Sequence, residues 1–346
     1  MLQVVLKKAF DLETVQTEIP EPKSHEVLIK MSNLGICGSD VQVYSGKHKY
    51  NIFPLVQGHE GSGIVEKTGD KVKNFKAGDK VTIQPQIFCG KCQPCLEGHI
   101  NVCENLKVIG IHANGLAAEY AAVDESMLLA LPDSVDCETG AMTEPLSVAV
   151  GTLRRCGDLT GLNIVVMGAG TIGNLVAQTA LVSGAGKVLL TDINDKRLEL
   201  AERCGIRLYA NTSVKPLSEA IRECFGARGA DIIIDCAAVP AALTEAIAVA
   251  RPASRIVIVG NYKVPVEIEL PMLQRRQIDM LGIMMYIRED FEKAIELMTE
   301  NKVALKPLIS DHFRPEDFAE AYECIFNNPE RVMKVRSDFN REGGSR

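Results

Sequence analysis

Asn163-Ile164-Val165-Val166-Met167-Gly168-Ala169-Gly170-Thr171-Ile172-Gly173 decides the fold. Its first five residues form a continuous apolar run, as in a strand buried on both faces. The run passes at once into Gly-x-Gly-x-x-Gly and a helix-like segment through Val182, then into a second strand, Val188-Leu189-Leu190-Thr191, ending at Asp192, nineteen residues beyond Gly173. The glycine pattern alone is weak evidence; its place between strand and helix, with an acid closing the next strand, gives it meaning. Glycines let the backbone approach a pyrophosphate, the helix N-terminus carries partial positive charge, and the acid accepts from ribose hydroxyls. The stretch therefore predicts a dinucleotide site using Gly168, Gly170, Thr171, Ile172, Gly173 and Asp192. A carboxylate at Asp192 repels a 2′-phosphate, so the expected cofactor is NAD rather than NADP. Lys196 and Arg197 lie a few residues on; a solvated helix face is their simpler reading, and Arg197 is kept among the candidate cofactor contacts.

Downstream, Leu208–Ala210, Asp231–Asp235, Arg255–Val259 and Ile278–Ile283 read as further strands, with helix-period segments between the earlier ones. The pattern is α/β, a doubly wound parallel sheet. Asp235-Cys236-Ala237-Ala238 and Gly260-Asn261 fall at the carboxyl ends of their strands. The segments 289–301 and 315–327 are helical by pattern and are expected to pack back on the first domain. Upstream the grammar differs: polar and apolar residues alternate, as in Glu26-Val27-Leu28-Ile29-Lys30-Met31, with Pro20 and Pro22 marking a turn. A β-rich first domain follows from that pattern.

Two clusters in this first part carry metal chemistry. Cys37, within Gly35-Ile36-Cys37-Gly38-Ser39-Asp40, and the pair His59-Glu60 supply a thiolate, an imidazole and a carboxylate, a ligand set for a catalytic zinc that keeps one position open. Cys89-x2-Cys92-x2-Cys95-x7-Cys103 places four thiols within fifteen residues, which reads as a closed structural zinc site. An iron–sulfur cluster or a chance group of thiols are the alternatives. The remaining six of the eleven cysteines, Cys137, Cys156, Cys204, Cys224, Cys236 and Cys324, read as small buried hydrophobes. Glu144 precedes Pro145 at a probable helix start and by itself reads as a surface acid.

Composition narrows the function classes. The chain has 346 residues, 46% hydrophobic and 24% charged, enough for two domains. Its net charge of −7 argues against nucleic-acid and acidic-membrane partners. The glycines and polar residues between Ile164 and Leu190 suit a buried strand and helix better than a membrane span. No secretory pattern is evident at the N-terminus, so the expected compartment is the cytoplasm.

Together these motifs resemble the zinc-containing medium-chain alcohol dehydrogenases across essentially the whole chain, and within them the sorbitol (polyol) dehydrogenase branch. The carrying residues are Cys37-Gly38-Ser39-Asp40, Gly58-His59-Glu60 with Gly63 and Gly69, the four cysteines from Cys89 to Cys103, Glu144-Pro145-Leu146-Ser147, and Gly168 to Gly173 with Asp192. The resemblance implies a GroES-like catalytic domain (1–148 and 284–346, with a zinc lobe at about 85–105), a Rossmann domain (149–283) and an active site in the cleft between them. It implies two zinc ions per chain, oxidation of a secondary alcohol of a polyol, sugar or sugar acid by hydride transfer to NAD, and a homotetramer, with a dimer as the other possibility. It raises Glu144 to a zinc ligand, direct or through a water, because the polyol branch places a glutamate there. It makes Ser39 the proton-relay hydroxyl, and brings in His112 and Arg288 as candidate substrate contacts. One departure stands out: many relatives carry a histidine shortly after the Cys-Gly-Ser-Asp run, where this chain has Gln42, which cannot relay a proton by changing charge. A threonine 3-dehydrogenase-like enzyme and a non-catalytic NAD(H)-binding sensor or structural protein remain the alternative readings.

Overall fold

All five residues of the Asn163–Met167 strand are buried, and each fully buried Val or Ile contributes roughly 1.5–3 kcal/mol against its exposed state. The strand sits in a six-stranded, wholly parallel sheet of order Leu208–Asn211, Lys187–Asp192, Asn163–Met167, Ile232–Asp235, Arg255–Ile258, Asp279–Gly282. Strand order reverses beside Asn163–Met167, the position at which such sheets open a crevice at their carboxyl ends. Helices Thr171–Val182, Asp195–Arg203, Leu217–Phe225 and Pro240–Val249 connect successive strands. In Leu217–Phe225, residues Leu217, Ala220, Ile221 and Phe225 are buried while Ser218, Arg222 and Glu223 are exposed, the one-sided pattern of a helix lying on a sheet. A further helix, Leu270–Arg276, is absent from the sequence reading, because seven residues are too few to display a helical period.

The computed structural model describes residues 1–50 and 52–339. The parallel sheet belongs to a unit of Pro145–Tyr286 and Glu300–Leu308; Met1–Glu144, Ile287–Thr299 and the chain from Ile309 form the other. No helix among the described residues is long and apolar enough to cross a membrane.

The other unit is built on a seven-stranded sheet. Along it run Ile309–Phe313, Lys334–Asp338, Glu26–Ile36, Glu60–Thr68, Lys80–Ile83 and Leu128–Ala130, with Tyr120–Asp124 also paired to Glu26–Ile36. Every pairing is antiparallel except Ile309–Phe313 with Lys334–Asp338, whose crossover carries the helix Phe318–Asn327. That helix buries Phe318 and Tyr322; the Tyr322 ring stacks on Tyr44 at 4.1 Å and its hydroxyl donates to Gln57 Oε1 at 3.0 Å. Two distant parts of the sequence are thereby fixed to the segment leading into His59. The other C-terminal helix is Arg288–Thr299.

Candidate active site

The four-cysteine loop is assembled locally. The sulfurs of Cys89, Cys92, Cys95 and Cys103 lie within 4.8 Å of one another. Backbone N–H groups are aimed at them: Cys89 N and Asn105 N each stand 3.3 Å from Cys103 Sγ, and Cys92 N stands 3.4 Å from Cys89 Sγ. Donors from Lys91 and Cys92 hold the Cys89 thiol down to about 6, whereas burial and the competing thiols push Cys95 up to about 12. Thiolates gathered this way, with N–H donors behind them, suit a closed tetrahedral zinc site.

The second cluster is assembled from distant segments. Cys37 caps the helix Gly38–Tyr44, and its N–H donates to Asp40 Oδ2 at 2.8 Å. The other Asp40 oxygen lies 3.3 Å from His59 Nδ1, and neither atom has another partner. A proton on Nδ1 shared with Asp40 leaves Nε2 as the free lone-pair donor, the arrangement in which a carboxylate orients a metal-binding histidine. One ligand atom from each of Cys37, His59 and Glu60 lies within 4.8 Å of the others. Glu60 pairs with Gly35 across the ladder, where an added Cβ would stand 2.2 Å from Glu60 Oε2; only a glycine allows the carboxylate that position. Burial alone would lower the His59 pKa, but Asp40 and Cys37 outweigh it and hold it well above the usual range. The pocket therefore favours positive charge, which a divalent ion supplies in place of the proton.

Lys334 completes this cluster and was not foreseen. Its Nζ lies 2.7 Å from both Glu60 oxygens and 3.3 Å from Ile36 O, with its side chain 6% exposed. Burial opposes its charge, yet Glu60, Cys37 and Glu144 raise its pKa. Each Glu60 oxygen keeps a second lone pair, so the ammonium does not prevent the carboxylate from meeting a metal. The signal in the sequence is a lysine on the inward phase of the strand Lys334–Asp338, where Val332 before it is also buried.

Other candidate residues fall at varying removes. Glu144 is buried, near enough for its charge to act on Lys334, but lies outside the converging triplet. Ser39 is half-buried in the first turn of the helix after Cys37. Arg288 donates to the carbonyls of Ser126 (2.8 Å) and Leu128 (2.9 Å) and pairs with Glu292 at 3.5 Å, so its guanidinium holds backbone. His112 sits in a loop where its Nδ1 accepts from Val108 N at 3.1 Å. All eleven cysteines are free thiols. Of the six expected to be buried, only Cys156 and Cys204 are, and burial pushes each up to about 11; Cys137, Cys224, Cys236 and Cys324 are half-buried.

In the parallel-sheet unit, the glycine run forms the expected turn. Gly168 has φ +96°, and a Cβ on Gly173 would stand 1.7 Å from Gly168 O, so the helix Thr171–Val182 can begin against the strand only with glycine there. Asp192 ends the next strand; Ala169 N donates to its Oδ2 at 2.7 Å and Asn194 N to its Oδ1 at 3.0 Å. Arg197 Nη1 lies 3.7 Å from Asp192 Oδ2. The carboxylate is held rigid and keeps a lone pair on each oxygen, the geometry for accepting from a ribose diol.

Residues 23–133 match the family model of the alcohol dehydrogenase GroES-like domain, and residues 171–300 that of the zinc-binding dehydrogenase. The chain is 33% identical over 341 residues to a 2-dehydro-3-deoxy-L-galactonate 5-dehydrogenase of Pseudoalteromonas atlantica, covering 98% of each. It is 30% identical over 348 residues to a sorbitol dehydrogenase of Bacillus subtilis, covering 99% of this chain and 98% of the relative. Among solved structures, an alcohol dehydrogenase RspB of Escherichia coli CFT073 complexed with NADH matches with a TM-score of 0.91 and 31% identity, over 98% of this chain and 99% of the other.

Proposed function

The chain belongs to the zinc-containing medium-chain alcohol dehydrogenase family, and from that premise we propose that it oxidises a secondary alcohol of a polyol, sugar or sugar acid with NAD as the hydride acceptor. The observation that carries the reading is the buried convergence of Cys37, His59 and Glu60, with Asp40 behind the histidine and Lys334 behind the glutamate. Zinc bound by these three would polarise the substrate hydroxyl and lower its pKa. Asp40 fixes the tautomer and orientation of His59, and Lys334 neutralises Glu60 without consuming all its lone pairs. Glu144 adds a second carboxylate at the cluster, as a ligand or through a water. Ser39 is the hydroxyl that receives the alcohol proton; Gln42 cannot pass it on by changing charge. Asp192, held by Ala169 and Asn194, accepts from the adenosine ribose, with the Gly168–Gly173 turn admitting the pyrophosphate.

The same premise carries the rest of the proposal: a second zinc held by Cys89, Cys92, Cys95 and Cys103, a catalytic domain of 1–148 and 284–346 enclosing a Rossmann domain of 149–283, residence in the cytoplasm, and a homotetramer. The test is NADH formation by metal-analysed protein against alditols, aldonates, threonine and simple alcohols, with NADP in parallel. Turnover of one polyol, sugar or sugar acid with NAD, lost on chelation, is the expected result. Turnover of threonine alone, or tight NADH binding with no turnover of any alcohol, would overturn it.

A further inference from the structure

Two loops that the mechanism leaves unused, each bonded to a segment that carries a candidate ligand, meet at their histidines. His48 follows the helix that begins at Cys37, and its N–H is tied back to Gln42 O at 3.1 Å. The His112 loop is bonded to the segment entering His59: Gly115 N donates to Val56 O at 2.7 Å and Leu116 N to Gly58 O at 3.0 Å. Each loop is thus anchored within a few residues of a candidate ligand. Where they meet, the His48 and His112 ring centroids are 6.2 Å apart, and the Tyr50 ring lies 5.9 Å from His112. Lys49 Nζ stands 5.3 Å from the Tyr50 centroid.

Hydrogen bonding fixes what this group offers. Tyr50 N donates to His48 Nδ1 at 3.3 Å, and Val108 N to His112 Nδ1 at 3.1 Å. With Nδ1 used as an acceptor, the proton of each neutral imidazole is on Nε2. Burial lowers both histidine pKa values, and His48 and Lys107 lower that of His112 further; Asp40 and a backbone hydrogen bond with Tyr50 oppose this at His48 alone. The group is accordingly rich in donors: two N–H groups, the ammonium groups of Lys49 and Lys107, and the Tyr50 hydroxyl as the one group that can also accept.

A neutral polyol brings hydroxyls that must donate as well as accept, and a donor-rich lining leaves their protons poorly satisfied. A carboxylate has lone pairs on two oxygens, no proton to place, and a charge that strengthens each bond it accepts. We propose that His48 and His112, flanked by Tyr50, Lys49 and Lys107, receive the carboxylate of a sugar-acid substrate and select aldonates over neutral alditols. This assignment rests on the dehydrogenase reading above and names its substrate class.

The experiment compares steady-state kinetics of the holoenzyme on galactonate, idonate and gluconate with those on galactitol and sorbitol, for the parent and for His48→Ala, His112→Ala and His112→Asp. The parent is expected to favour an aldonate. Each alanine variant should raise the aldonate KM roughly 10- to 100-fold, the loss of one charge-assisted hydrogen bond, with kcat, the NAD KM and zinc content held. His112→Asp should remove aldonate turnover while any residual alditol turnover persists. A KM that rises equally for aldonates and alditols would mean the histidines shape the loops and would overturn the assignment. A parent that turns over alditols alone would overturn it and leave the dehydrogenase reading standing. Turnover of neither class would remove both.

Discussion

The chain carries two sulfur-bearing clusters built in opposite ways. In the Cys89–Cys103 loop, four candidate ligands of one kind lie within fifteen residues and are backed by the loop's own N–H groups. In the other, three candidate ligands of three kinds come from Cys37 and His59-Glu60, backed by Asp40 and by Lys334 from the far end of the chain. Local assembly spends little chain entropy and gives a closed, uniform site. Assembly across the sheet costs more order, and gains a buried setting in which each ligand has its own partner. Uniform sulfur suits a fastening; mixed ligands with tuned partners suit chemistry.

The widest separation of the two comes from breaking one ligand at a time. Cys37→Ser is expected to lower kcat by about 1,000-fold or more, the scale of a lost Lewis acid, while zinc analysis still finds one ion per chain, held at the four-cysteine loop. Loss of both ions in this variant would show the clusters to be interdependent, and retained activity would show that Cys37 holds no catalytic metal. Next in size is Lys334→Met. Leaving Glu60 without its ammonium in a buried site costs about 3–5 kcal/mol of stability and 10- to 100-fold in metal affinity or activity, typical of a lost supporting group; Lys334→Arg should recover part of both. The same substitution at exposed Lys67, paired with Glu21, should change little. Thermal unfolding and zinc titration of the three variants check this, and equal effects at Lys334 and Lys67 would break the argument.

The same contrast explains what the sequence made legible. The four cysteines and the Gly168–Gly173 turn are local patterns whose spacing is their geometry, so they can be read directly; even the contact of Gly173 with Gly168 O is implied by the spacing. Cys37, His59 and Glu60 were legible as residue types, because thiolate, imidazole and carboxylate near paired glycines make an unusual set. Lys334 was not, since 274 residues separate it from Glu60 and nothing local reports a side-chain contact of that range. Asp40 was quoted within its motif, yet its role behind His59 depends on the ladder that brings Glu60 opposite Gly35. Arg288 shows the reverse case: as a candidate substrate contact it rested on resemblance, while in the fold its donors meet the carbonyls of Ser126 and Leu128.

A smaller effect is expected at the fastening. Cys95→Ser should leave kcat per catalytic zinc within about twofold and lower the unfolding temperature by a few degrees, with faster proteolysis inside residues 89–103. A collapse of kcat equal to that of Cys37→Ser would mean that the loop participates in turnover.

The finest distinction lies inside the loop and should leave turnover untouched. Without metal, the Cys89 thiol is held down to about 6 and Cys95 is pushed up to about 12. Because the thiolate is the nucleophile, Cys89 is mostly in its reactive form at pH 7, and Cys95 scarcely so. The sign follows: a lowered thiol pKa gives reactivity that is present above about pH 6 and is lost as pH falls through that value. Iodoacetamide labelling of the chelated protein, read by peptide mass spectrometry, should therefore mark Cys89 ahead of Cys95 at pH 7, and Cys89 labelling should slow severalfold at pH 5. In zinc-loaded protein all four cysteines should be protected together, because the lone pairs that would attack the reagent are bound to the ion. Labelling of Cys89 undiminished by zinc would show that the four sulfurs do not share one metal, and the comparison between fastening and catalytic cluster would lose its first term.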